Sequence, residues 1–194
     1  MASSKITQSQ NTVAGDQAAG DINKNQISFN YAYDSQRRTD IAVLIEKFRV
    51  EREGDIKFYE TVDKLEHYKS SPPGEPTLTL EEKLEKGGCA DQLRFARQTK
   101  ELFSKNLVQF QYSESAQRIH ALLLAEVYSR FHRLVSPLIH QGADINAINR
   151  AVQVEIIEPV QRLLQDNVLE LYAAEINGML YFLTGNCHIR WDKC

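Results

Sequence analysis

The sequence lacks the features that would place it in a membrane, outside the cell or on a nucleic acid. No apolar run approaches the roughly 20 residues that span a bilayer, and the opening MASSKITQSQ has no apolar stretch of the kind a secretory signal needs. Basic residues are not in excess. The 23 Lys and Arg stand against 26 Asp and Glu, a net charge of −3, so no molecule-wide field draws this chain to phosphate. Cysteine is scarce and odd in number: Cys89, Cys187 and Cys194 are far apart, which suits reduced thiols in a cytoplasm and not a disulfide framework. What is left is ordinary globular composition, 42% hydrophobic and 25% charged over 194 residues, enough for one main domain with a core and one appended segment.

The motifs of common chemistries are missing as well. A phosphate-binding loop needs glycines opening a helix with Lys and a hydroxyl at fixed offsets; here Gly15 and Gly20 are each followed by Asp, whose charge repels phosphate, and Gly-Lys-Ser/Thr does not occur. The five histidines are scattered, with no pair at the spacing of a helical zinc site and no Cys-x-x-Cys. Cys187-His188 with Cys194 is the nearest approach to a ligand set. Neighbours in an extended chain point apart, so it reads as a packed thiol beside a surface or capping imidazole, and no metal is expected. No nucleophile-elbow motif accompanies the Ser and His residues. Glu155 and Glu158, one helical turn apart, read as a solvated face and not as an acid/base pair. Arg37-Arg38 and Arg94/Arg97 lack interleaved aromatics, so direct nucleic-acid binding is not expected. "QGADINAIN", residues 141–149, imitates an ankyrin loop, yet has no partner at that repeat's period; a glycine turn followed by an Asp or Asn helix cap accounts for the same letters. No catalytic, cofactor or metal-binding residue is therefore assigned.

Periodicity supplies the positive content. Residues 1–30 are polar, with isolated Ile6, Val13, Ile22, Ile27 and Phe29, and carry two units in phase, Val13-Ala-Gly-Asp-Gln and Ala18-Ala-Gly-Asp-Ile. Gly permits tight or left-handed backbone and Asp bonds turn amides, so a short β-like repeat is expected there, with helix from about Asp34. Ile41, Leu44, Ile45 and Phe48 then recur at helical spacing up to Gly54, and Phe58, Val62, Leu65 and Tyr68 line a second helical face. SSPPGEP, residues 70–76, is a loop because proline lacks the donor. A charged helix over Leu80–Lys86 closes at Gly87-Gly88, and Leu93, Ala96, Leu102, Phe103 and Leu107 mark a long one. The strongest signal runs through Leu124, Val127, Tyr128, Phe131, Leu134, Val135 and Leu138, with Ser115 as its expected cap. Asp144 or Asn146 caps a further helix toward Leu164, kinked at Pro159. Val168–Leu183, apolar on most sides, is the expected buried element, and Cys187–Trp191 alternates as an extended tail does. The fold expected is mainly α: a helical bundle over 34–194, a Gly-Asp repeat segment over 1–30, and a short extended C-terminal tail.

"MLYFLTGNCHIRWDK", residues 179–193, resembles the end of the C-terminal module on effector proteins of bacterial ABC three-component systems, the Lamassu-like antiphage group. "GDQAAGDINK", residues 15–24, resembles the Gly-Asp element that often precedes such modules. The resemblance implies a helical dimerisation and docking domain whose partners are an SMC-like ATPase and a small middle subunit. In that arrangement the module holds an effector enzyme idle until the ATPase recognises foreign DNA and the effector self-associates. Family effectors carry an enzyme ahead of the module, whereas this chain starts almost at the Gly-Asp element. That implies either a chain from which the enzyme is absent or a stand-alone adaptor, and no catalysis is carried over.

Two expectations about interfaces follow. Leu180, Tyr181, Phe182, Ile189 and Trp191 are too dense for a solvated tail and belong in the core or in a subunit interface. The repeat around Val13, Gly15, Asp16, Gly20, Asp21 and Ile22 reads as an oligomerisation element. One copy of residues 11–25 buries side chains worth about 5 kcal/mol, against about 15–30 kcal/mol to order its backbone. Several copies held together by an associating helical domain would pair strands and bury Val13 and Ile22 between chains, in a dimer or tetramer. The function expected is a cytoplasmic, non-catalytic oligomerisation and docking module of an antiphage complex; the alternative is a small helical cytoplasmic enzyme whose site is not visible in sequence.

Overall fold

The computed structural model describes residues 24–74, 78–164 and 166–191, and every regular element among them is helical. The elements are α1 (Lys24–Glu53), α2 (Asp63–Lys69), α3 (Leu80–Lys86), α4 (Leu93–Gln109), α5 (Glu114–Arg130), α6 (Ser136–Gln141), α7 (Ile145–Ala151), α8 (Glu158–Leu163) and α9 (Ala173–Gly185). The mainly helical bundle is as expected. The Gly-Asp repeat, with Val13, Gly15, Asp16, Gly20, Asp21 and Ile22, lies outside the described residues, as does Cys194.

Helix α1 begins at Lys24, ten residues before the periodicity placed it, so Ile27 and Phe29 are helical and not extended. No glycine or proline stands between Gly20 and Gly54. Once Ile41, Ile45 and Phe48 pack into the core, nothing in the upstream sequence stops propagation toward the N-terminus. The second expected helix is shorter than its apolar pattern, because Phe58 and Val62 precede α2 and only Leu65 of that helix is fully buried. The cap of α5 is Ser113, whose hydroxyl accepts from the Ala116 amide, and not Ser115. Ser115 bonds the Glu51 carboxylate through both its amide and its hydroxyl, at 3.1 and 2.5 Å, and the Ser113 hydroxyl donates to the same carboxylate. Glu51 thereby docks α1 on the positive end of α5, where helix dipole and unsatisfied amides favour an anion.

Two prolines interrupt the long helices in the same way. Between α5 and α6, over Phe131–Val135, and between α7 and α8, over Val152–Ile157, the hydrogen-bonding widens to π geometry. Pro137 and Pro159 sit at the second position of the helix that follows each widened turn. A proline cannot donate to the carbonyl four residues back and its ring collides with it, and the wider turn relieves both problems. The carbonyl affected by Pro159 is that of Glu155, and Arg130 Nη1 donates to it at 3.3 Å. At Pro159, where a kink is expected, the structure has a widened turn; a second such turn, before Pro137, interrupts the run through Leu138 that reads in sequence as one helix. Between these arms Gly142, at φ +78°, ends α6, and Asp144 caps α7 through the amides of Asn146 and Ala147. Turn and cap thus account for the ankyrin-like letters.

The centre of the bundle is the pair α4 and α9, which make the most extensive contact of any two elements. Gly178 allows it: a Cβ there would lie 2.7 Å from Phe103 Cβ and closer still to the Thr99 carbonyl. The expected buried element shortens to Ala173–Gly185, preceded by a turn that buries Leu169 and Leu171. No described helix is long and apolar enough to cross a membrane.

Candidate functional site

The segment with the most distinctive sequence, residues 179–191, closes the fold. Tyr181, Phe182, Ile189 and Trp191 are all buried within this chain's own interior. Of core and subunit interface, they occupy the core. Trp191 lies edge-on to Phe131 and stacked on Tyr181, at ring separations of 5.2 and 6.2 Å, and its indole N–H donates to Thr184 Oγ1 at 3.0 Å. Across from it, a Cβ on Gly87 would stand 2.5 Å from Trp191 Cβ, so the end of α3 and the tail pack backbone to backbone. Gly88, by contrast, takes φ +70° as the left-handed residue of a Schellman cap, in which Cys89 N donates to Leu84 O and Gly88 N to Glu85 O.

Lys83 is the unexpected member of this region. It belongs to the charged helix α3, yet is only 3% exposed. Its ammonium donates to the Thr184 carbonyl at 2.6 Å and lies 3.1 Å from Cys187 Sγ. Those acceptors sit at the C-terminal end of α9, where orphan carbonyls and the negative end of the helix dipole stabilise a cation. Cys187, at φ +64°, and His188 follow directly. The His188 ring sits 2.9 Å from the Ser70 carbonyl and its own carbonyl 3.1 Å from His132 Nε2, while Asn186 donates to the Tyr68 carbonyl. Burial holds the His188 pKa below its ordinary value, opposed by the bond to Ser70. Cys187 and His188 therefore tie α2, α3 and the π turn to the tail. Among the described residues no three His, Cys, Asp or Glu side chains converge as a metal site would require.

The remaining interior polar groups are also committed to partners. Asn106 donates to the Leu169 carbonyl at 2.7 Å, leaving its Oδ1 to accept from His120 Nε2 at 2.8 Å, which fixes the neutral tautomer of that ring. Burial pushes the His120 pKa from 6.5 down to about 3. The folded ring is then neutral where the unfolded one takes up a proton. Its contribution to stability is complete above pH 6.5 and is lost progressively as pH falls toward 3, at about 1.4 kcal/mol per pH unit. Urea unfolding at pH 7, 6, 5 and 4 is expected to show that slope, and His120→Gln, whose amide still donates to Asn106, to flatten it. Equal slopes in the two proteins would assign the acid sensitivity elsewhere. Glu126 and Arg130, one turn apart on α5, form a buried pair at 2.6 Å, and Arg37 of α1 approaches Glu126 at 3.9 Å.

Lys83, Gly87, Gly178, Glu51 and the His120–Asn106 pair all escape a reading by residue type. Of these and the buried pair, only Glu126–Arg130 has a spacing that announces it. The surface carries apolar groups too: Tyr59 and Tyr112, 77% and 50% exposed, pack together at 5.5 Å beside the exposed Ile56.

The model of the family described as C-terminal domain 9 (CTD9) of the ABC-three component (ABC-3C) systems matches residues 79–191. The matched range begins at Thr79, the capping-box residue of α3, and ends at Trp191, which packs against Gly87 at the other end of that helix. No curated protein and no solved structure matches the chain.

Proposed function

The chain belongs to the family of C-terminal domain 9 of the ABC-three component systems, and from that premise we propose that it is a non-catalytic oligomerisation and docking module of an antiphage complex. It tethers or restrains an effector on an SMC-like ATPase and its small middle subunit. The observation that carries this reading is the pair Tyr59 and Tyr112. Two large aromatics held in register by the Phe58 amide bonded to the Tyr112 carbonyl, yet left in solvent, are the anchors a protein partner covers. The C-terminal string supports it differently: Tyr181, Phe182, Ile189 and Trp191 are buried in the chain's own core, so docking falls to other surfaces.

Association is the property to measure. Light scattering across a concentration series is expected to give a dimer or tetramer for the full chain, and a smaller species for a version lacking residues 1–23, which stops short of α1. Co-expression with the ATPase and the middle subunit is expected to yield one co-eluting complex. A full chain that stays monomeric and elutes apart from both would end this proposal.

A further inference from the structure

The structure describes a groove of about 470 Å³ between α1, α2 and α5. Its floor is one stripe of α5: Arg118, Ala121, Leu122 and Ala125 fall at i, i+3, i+4 and i+7, a single helical face. Leu44 of α1 and Val62, just before α2, form the apolar parts of the two walls and are half-buried against the core. The small residues Ala121 and Ala125 belong to this floor, and small side chains let a helix laid in the groove come close to the α5 backbone.

Both walls are locked. Gln117, buried in α5, accepts from the Val62 amide at 2.8 Å and donates to the carbonyls of Glu60 and Gln111, which fixes the α2 side. Glu51 on the start of α5 and Arg37 on Glu126 fix the α1 side. The gap is therefore preformed and does not close by a side-chain rearrangement, which removes much of the ordering cost of binding.

The charge of the rim selects the occupant. Arg37, Lys64 and Arg118 line the groove with His67, and among the described residues no carboxylate lines it, although the chain as a whole carries 26 acids against 23 bases. Arg118 is bonded to Glu114 and Arg37 approaches Glu126, so part of this charge is compensated from outside the groove. The lining nonetheless presents cations around an apolar floor. We infer that this groove docks an acidic amphipathic helix of another protein of the assembly, its apolar stripe on Ala121, Leu122 and Ala125 and its carboxylates on Lys64 and Arg118. The inference rests on the docking role proposed above and adds the surface and the chemistry of the partner. Two of the three elements involved, α1 and α2, lie before residue 79 and so outside the range the family model matches.

The test uses the full chain and the purified complex of ATPase and middle subunit, with affinity measured by biolayer interferometry. Three variants are compared with the parent: Lys64→Glu/Arg118→Glu, Ala125→Trp, and, on the outer face of α4, Leu102→Glu as a control. Lys64 and Arg118 are exposed, so their reversal leaves the core intact, and the melting temperature verifies each fold. The expected result is a loss of about tenfold or more for both groove variants and less than about twofold for Leu102→Glu. Raising salt from 0.1 to 0.5 M should weaken the parent more than the charge-reversed variant. Groove variants that bind as the parent does overturn this inference and leave the docking role standing, whereas a parent that binds neither component removes both. Groove variants that keep the complex but lose self-association in light scattering assign the groove to a second copy of the chain, which also overturns it.

Discussion

Replacing Trp191 by alanine is expected to lower the melting temperature by roughly 6–20 °C. The indole is 2% exposed, stacks on Tyr181, meets the edge of Phe131 and gives its N–H to Thr184. Truncating a buried Trp costs about 3–5 kcal/mol, and in a protein of this length each kcal/mol moves the midpoint by about 2–4 °C. The loss reaches further than one cavity, because Thr184 Oγ1 also donates to the Leu180 carbonyl and the Thr184 carbonyl accepts from Lys83. Gly87→Ala strikes the same contact from the other side, since its Cβ would meet both Trp191 Cβ and the Trp191 carbonyl. The two variants are expected to destabilise by less in combination than the sum of their separate effects, as residues sharing one contact do. Differential scanning calorimetry of the three proteins checks it; a midpoint within 2 °C of the parent for Trp191→Ala, to the precision of ~0.5 kcal/mol such a shift implies, would show that the tail does not close the fold.

The second large effect is at Gly178. In an exposed helix, exchange of glycine for a residue with a side chain generally stabilises, by up to about 1 kcal/mol for alanine. Here the new Cβ runs into the Thr99 carbonyl and Phe103 Cβ, backbone and near-backbone atoms of α4 that no rotamer change can move. Overpacking of this kind costs about 3 kcal/mol or more, so the clash outweighs the propensity gain. Gly178→Val, which adds branching and no propensity advantage to speak of, is expected to give a midpoint lowered by about 10 °C or to remain insoluble. Gly185→Ala is the matched comparison. A Cβ there meets only the end of the Lys100 side chain, which can swing away, and a shift below about 2–4 °C is expected. If both glycine variants behave alike, the close approach of α4 and α9 is not what requires Gly178.

The local features of the fold are readable because they depend on neighbours in sequence. The helix over Leu80–Lys86, its glycine stop and the Asp144 cap follow from residues within about four positions of one another, where hydrogen-bonding reach is set by the chain itself. The interruption at Pro159 is of the same kind. Helix α1 is the counter-example: Ile27, Phe29, Tyr31 and Tyr33 alternate as a strand would, and the helix extends through them because no glycine or proline stands between Gly20 and Gly54. Ser113 over Ser115 as the cap of α5 is not read from spacing alone, since Glu51, which only the fold brings to this helix start, bonds both hydroxyls while Ser113 also accepts from the Ala116 amide.

Gly87 and Gly88 put the division side by side. The sequence alone accounts for Gly88, because a helix that ends there needs a left-handed residue and only glycine takes one without strain. Gly87 has no such local reason; it is required by Trp191, more than a hundred residues away in sequence, whose backbone occupies the space of a Cβ. Lys83 divides in the same manner. Its charge and helical position were legible, but its burial was not, since only the fold brings the carbonyl end of α9 over it. By itself the sequence determined the helical class, the Asp144 cap and the glycine and Pro159 breaks, which are set by forces acting over a few bonds. Which polar groups are buried, which glycines are packed against and where a groove stays open were decided by the tertiary structure, because those depend on surfaces that meet only when distant segments pack.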